Sequence, residues 1–276
     1  MNLATFASEI MGKGDLYPSP VTGLSHMYDQ GVRYGDISEA WLATYPMHMQ
    51  VEMFEQAGLK PNCLIVTTDI AMKDANTIRR NIAQIKGYID QMDKLNIPLI
   101  MPAPSVGRIY DREDYNRMRD NLTESLQTLS DYAKGSGITV CIENQSIATR
   151  ADASMHDVRS ILDAIPALGY VLDSGNFFCI REDVLEAYEL LKDRMVHAHF
   201  KDWRWDPMGP EVRENLPRFA GTTIGQGVLP IYELTQRLKK DGYQGCVSLE
   251  FNSVRSTEKL WDDSAKFLRE SFSLSL

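Results

Sequence analysis

MVHAHFKDW, at residues 195–203, decides the fold. Val196, Ala198 and Phe200 alternate with His197, His199 and Lys201, the two-residue period of a β-strand. Working outward, three more stretches share its form: ITVCIENQS at 138–146, GYVLDSGN at 169–176 and QGCVSLEFN at 244–252. Each is a short apolar run that turns polar near its C-terminal end, and a helical pattern follows each one, at 155–165, 184–191, 230–240 and 258–271. The first half repeats the alternation. Strands are expected at 3–7, 32–38, 62–67 and 98–102, with helices at 23–30, within 46–57, at 75–95 and at 114–134. Eight strand–helix units predict an α/β fold, a single (β/α)8 barrel spanning residues 1–276 as one domain. An open doubly wound sheet would show a glycine-rich phosphate turn after an early strand, and the GKGD at 12–15 lacks that spacing.

The polar residues at the strand ends carry the chemistry. A barrel strand is buried on both faces and should be apolar. The last four strands break this rule with Glu143, Asp173, then His197, His199 and Lys201, and finally Glu250. Strand alternation turns Cys141 and Gln145 the same way as Glu143, Val171 as Asp173, and Ser248 and Asn252 as Glu250. Consecutive strands lie about 4.8 Å apart, so Glu143, Asp173, His199 and Glu250 can meet at one point. Buried, clustered carboxylates need a counter-cation or a shared proton. Three carboxylates and an imidazole suit one divalent metal ion, with Mn2+ first among Mn2+, Mg2+, Co2+ and Zn2+. His26, His48 and His156 fall in helical sequence and are read as structural or surface residues.

Composition narrows the function. A net charge of −9 and a pI near 5.1 exclude a basic nucleic-acid surface. Without an apolar run of membrane-spanning length or a secretory start, the expectation is a cytoplasmic protein with no membrane partner. Cys63, Cys141, Cys179 and Cys246 have no CxxC spacing and read as reduced thiols.

The IENQ, LDSGN, HAHFKD, GQG (225–227) and SLEF motifs resemble the xylose isomerase-like TIM-barrel superfamily. That group includes sugar phosphate isomerases and epimerases, ketose 3-epimerases, inosose dehydratase and the AP endonuclease type. The resemblance implies that Glu143, Asp173, His199 and Glu250 are metal ligands, with the two glutamates also moving protons. Asn176 stands where the family often has a substrate-contacting histidine. Thr149, where ketose 3-epimerases have a second glutamate, counts against that subgroup, and the HxKD run at 199–202 is closer to inosose dehydratase-like members.

The expected activity is a metal-dependent isomerisation or epimerisation of a sugar or polyol through an enediolate, with Glu143 and Glu250 as acid and base. The alternative is a lyase that dehydrates a keto-sugar or keto-cyclitol, with Lys201 as the acid. His197, one layer deeper, is read as orienting a ligand and is grouped with Asn176, Trp203 and Arg204 on the substrate side. The long 203–228 loop, with its tryptophans, Arg204 and glycines, is expected to cover a sugar or to form a contact in a homo-oligomer.

Overall fold

The protein is described from a computed structural model, which covers residues 1–12, 14, 16–207, 218–251 and 257–276. Eight parallel strands close a barrel. They are β1 (Asn2–Phe6), β2 (Tyr34–Ser38), β3 (Lys60–Thr67), β4 (Leu99–Ala103), β5 (Thr139–Glu143), β6 (Gly169–Asp173), β7 (Met195–Phe200) and β10 (Cys246–Leu249). Each pairs with its sequence neighbour, and β10 pairs with β1 to close the ring. Between β7 and β10 lies a two-stranded antiparallel ribbon, β8 (Asp202–Trp205) and β9 (Phe219–Thr222). The sequence pattern runs the seventh strand on to Trp203, with a loop beyond it. The chain instead leaves the barrel at Lys201 and forms this ribbon. Residues 208–217 of that loop, and Asn252, lie outside the described residues.

The helices are α1 (Ala7–Met11), α2 (Pro20–Asp29), α3 (Met47–Gln56), α4 (Ala75–Leu95), α5 (Arg112–Ala133), α6 (Met155–Ala164), α7 (Ser174–Ile180), α8 (Val184–Leu191), α9 (Ile231–Lys240) and α10 (Glu258–Phe272). Their starts are written in short polar side chains. Ser19, Asp74, Asp111, Ser154, Asp183 and Thr257 each accept a hydrogen bond from a first-turn N–H of the helix that follows. His26 on α2 bonds Asp262 on α10 at 2.7 Å, a structural role.

Strand alternation sorts the apolar residues into two cores. Leu64, Ile100, Ile142, Leu172, Ala198, Phe200 and Leu249 face the helices. Cys63, Ile65, Leu99, Met101, Cys141 and Val171 fill the barrel interior. Above this inner plug, on the same parity, come the polar residues of the C-terminal ends. At that rim the buried Arg150 bonds Asp152 through two nitrogens (2.8 and 2.6 Å) and donates to the Val106 and Pro104 carbonyls, tying the loop after β4 to the loop after β5.

Candidate metal centre

Glu143 ends β5, Asp173 ends β6, His199 lies in β7, and Glu250 follows β10 with its N–H on the Phe200 carbonyl. The register sets Asp173 beside His199, and His199 beside Ser248. One ligand atom from each of Glu143, Asp173, His199 and Glu250 falls within 4.8 Å of the others. Lys201, one pleat above His199, reaches the same point.

The carboxylates are held alike. Glu143 accepts from Gln145 Nε2 on Oε2 (3.0 Å) and turns Oε1 to His199 Nδ1 at 2.5 Å. Asp173 caps α7, so its Oδ1 takes the N–H groups of Gly175 and Asn176, both at 2.8 Å. Glu250 Oε1 accepts from Lys201 Nζ at 2.7 Å. Asp173 Oδ2 and Glu250 Oε2 are buried without a hydrogen-bond partner, and Asp173 Oδ2 has only an ion contact with Lys201 Nζ at 2.8 Å. Each acid thus anchors one oxygen and turns the other toward the common point, where Glu143 Oε1 meets His199 Nδ1 and Asp173 Oδ2 meets Lys201 Nζ. Asp173 and His199 are fully buried, whereas the Glu143 and Glu250 side chains keep 10% and 15% of their surface.

Crowding these charges shifts their titration. Burial, opposed by Lys201 and reinforced by Glu250 and Glu143, pushes Asp173 up to about 8. Burial disfavours a charged His199, but the Glu143 charge and hydrogen bond, with Glu250 and Asp36, push it up to about 9. Burial also disfavours the Lys201 ammonium, yet Asp173, Glu250 and Glu143 raise it above the ordinary lysine value. Glu143 is held below its usual value, because His199 and Lys201 outweigh its burial. Burial and crowding thus favour a proton on Asp173 and on His199 beside the Lys201 ammonium, and the same oxygen and nitrogen donors suit a divalent ion.

Several supporting residues escaped the sequence reading. Asn144 takes the Asp173 N–H and the Tyr170 hydroxyl on Oδ1 and donates Nδ2 to the Asp173 carbonyl, so it locks β5 to β6. Ser174 Oγ donates to the Lys201 carbonyl and accepts the Lys201 N–H, fixing the lysine backbone. Asp202, read only as part of HxKD, accepts the N–H groups of Trp203, Gly225, Gly227 and Leu229 and so anchors the GQG segment. The available signals were Asp173 followed by Ser-Gly-Asn, an N-capping pattern for α7, and Asn144 directly after β5, since polar residues after a strand must satisfy backbone groups.

Of the residues expected on the substrate side, Asn176 borders the centre. Its Oδ1 is 3.4 Å from Lys201 Nζ, and its Nδ2 donates to the Asn144 carbonyl. Arg204 is exposed, 3.3 Å from Asp206. His197 is fully buried one layer deeper, as expected, with Nδ1 on the Cys246 carbonyl and Nε2 on Asp36, each at 3.0 Å, so it lies beneath the centre and apart from the substrate-side residues with which the sequence groups it. Trp203 is buried because its indole N–H needs an acceptor and finds the Gly175 carbonyl at 3.1 Å, so its ring is not offered to a sugar.

Comparison with known proteins agrees with this architecture. Inosose dehydratase of Lacticaseibacillus casei is 21% identical over 251 residues, covering 86% of this chain and 75% of that protein. The IolI protein solved with a bound zinc atom superposes with a TM-score of 0.77 at 17% identity, over 99% of this chain and 98% of that one. D-allulose 3-epimerase from Methylomonas sp., solved with D-allulose, gives 0.74 at 14% identity, over 98% and 97%. At these identities the structural likeness is one of fold. Among the described residues, no helix is long and apolar enough to cross a membrane. A family profile described as xylose isomerase-like TIM barrel matches residues 36–271, a span that contains every residue of the centre, and the chain belongs to that family.

Proposed function

We propose that this chain, acting as one domain, is a divalent-metal-dependent isomerase or epimerase of a sugar or polyol. Glu143, Asp173, His199 and Glu250 hold the ion, with Mn2+ the first choice, and Glu143 and Glu250 form the acid–base pair. One observation carries the reading: three carboxylates each turn one oxygen toward the point that His199 Nδ1 also faces, and of the four residues only the two glutamates retain exposed surface. One-oxygen coordination by each acid leaves positions for two adjacent substrate oxygens. When bound, the ion supplies a Lewis acid that stabilises negative charge as the substrate loses a proton next to its carbonyl.

Glu143 and Glu250 come from strands on opposite flanks of the four-strand set. One takes the α-proton, and the other returns a proton to the opposite face or to the neighbouring carbon. Lys201 holds the Glu250 carboxylate in place, and Asn176 hydrogen-bonds a substrate hydroxyl.

The Lys201–Glu250 contact at 2.7 Å supports a second reading, dehydration of a keto-sugar or keto-cyclitol. Here Lys201 gives a proton to the departing hydroxyl as its C–O bond breaks, and the similarity to inosose dehydratase points the same way. Keto-sugars and inososes incubated with the protein and Mn2+ in deuterated water separate the two. The isomerase adds deuterium at the α-carbon and otherwise leaves the composition unchanged, whereas a product lighter by one water establishes the dehydratase. Lys201→Met weakens substrate binding in the first case. In the second it abolishes water loss while α-exchange continues. Absence of both reactions across the panel rejects the proposed chemistry.

A further inference from the structure

Beneath the candidate metal centre lies a second polar layer that the reaction above does not use. Asp36, on β2, is fully buried across the barrel from β6. Its Oδ1 accepts from Asn62 Nδ2 at 2.8 Å, and its Oδ2 accepts from His197 Nε2 at 3.0 Å and from the Ser248 hydroxyl. Donors on β3, β7 and β10 therefore converge on one carboxylate. Burial opposes its ionisation, but His197, His199 and the Ser248 bond hold it below the ordinary aspartate value.

His199 joins the two layers. Nδ1 faces Glu143 at 2.5 Å and Glu250 at 3.8 Å, so Nδ1 is the nitrogen offered to the centre. A ring bound through Nδ1 carries its proton on Nε2, and Nε2 is buried with no hydrogen-bond partner. A buried N–H without an acceptor costs about 1–3 kcal/mol. Asp36, His197 and His199 present ligand-type atoms within 4.8 Å of one another. His197 cannot serve, because both of its ring nitrogens are engaged. The carboxylate in that group is Asp36, which has lone pairs left after its bonds to Asn62, His197 and Ser248.

We infer that Asp36 is a positioning residue for the metal centre: in the metal-bound protein it accepts the His199 Nε2–H across one water or after a small adjustment of the ring, and so commits Nδ1 to the ion. A carboxylate behind a metal-bound histidine sets its tautomer and raises its basicity, and removing one typically lowers metal affinity about 10–100-fold. The inference rests on the proposed metal site.

The test is Zn2+ affinity of the full chain and of Asp36→Asn, measured by competition with a chromophoric chelator, together with the imidazole nitrogen NMR spectrum of the Zn2+-loaded wild type. The expected result is a folded Asp36→Asn protein that binds Zn2+ about 10–100-fold more weakly. The wild-type spectrum should show one histidine bound through Nδ1 with a slowly exchanging Nε2–H. A purely structural Asp36 lowers the Tm of both loaded and metal-free protein and leaves Zn2+ affinity untouched, and that outcome overturns the inference. Ligation through Nε2 overturns it as well. If Asp36→Asn does not fold, the wild-type spectrum alone decides. Wild-type protein that fails to bind Zn2+ refutes the metal site itself, a different result from intact binding that ignores Asp36.

Discussion

Glu250 shows how much one side chain is asked to do. Lys201 holds its Oε1, while Oε2 lies 3.8 Å from His199 Nδ1 with no hydrogen bond. Under the proposed function, glutamine at this position keeps the shape and the Lys201 contact but has neither a charge for the metal nor a basic oxygen for the α-proton. Glu250→Gln is expected to lower turnover by at least about 10²–10⁴-fold, with further loss where the metal is also released. Steady-state rates at saturating Mn2+ check this. Near-normal turnover would leave the glutamate a structural ligand and remove it from proton transfer. His197 makes the complementary point: it shares the strand and parity of His199 but sits one pleat deeper, where it stabilises Asp36 and not a ligand on the open face.

At the scale of elements, β8 and β9 set the rim of the centre. Asp202, the first residue of β8, takes the Trp203 and Leu229 N–H groups on Oδ1 and those of Gly225 and Gly227 on Oδ2. Gly227 is required for this approach, since a Cβ there would lie 2.1 Å from Asp202 Oδ1. In Asp202→Asn, one acceptor becomes an NH2 group that faces N–H donors. The expected cost is about 1–3 kcal/mol, because backbone donors lose their partner in a buried setting. Urea unfolding measures that loss. Zn2+ affinity should stay unchanged, because the proposed ligands lie on or just after β5, β6, β7 and β10 and not on the ribbon. A parallel loss of Zn2+ affinity would mean that the ribbon and the centre are one mechanical unit.

Across the whole molecule, the proposed metal site makes metal and protons compete for one buried set of donors. An ion that binds only the folded protein stabilises it by RT ln(1 + [M]/Kd), about 2.7 kcal/mol at a hundred times Kd. Asp173 at about 8 and His199 at about 9 both lie above their unfolded values of roughly 3.9 and 6.5. A raised folded pKa contributes stability in full below the unfolded pKa and loses it as pH climbs through the folded one. Raising the pH from about 6 to about 9 therefore weakens the metal-free protein, takes most protons off Asp173 and begins to take them off His199, two of the proposed ligands. The difference in Tm between Zn2+-loaded and chelator-treated protein should widen across that range. Identical melting with and without chelator at every pH would reject a metal centre.

By itself the sequence determined the barrel and the four-residue cluster, because both follow from a two-residue strand period that is local and visible. Glu143, Asp173, His199 and Glu250 interrupt apolar runs at the same end of four strands, and no long-range contact is needed to see that. Tertiary structure decided the rest. Asp173 both ends β6 and caps α7, so the strand read as reaching Asn176 stops three residues earlier, and only the backbone path shows which role takes each oxygen. Trp203 looks like an exposed loop aromatic until α7 supplies an acceptor for its indole. Asp36 and His197 are 161 residues apart and meet because barrel closure carries β2 across to face β7, a contact that no local pattern encodes.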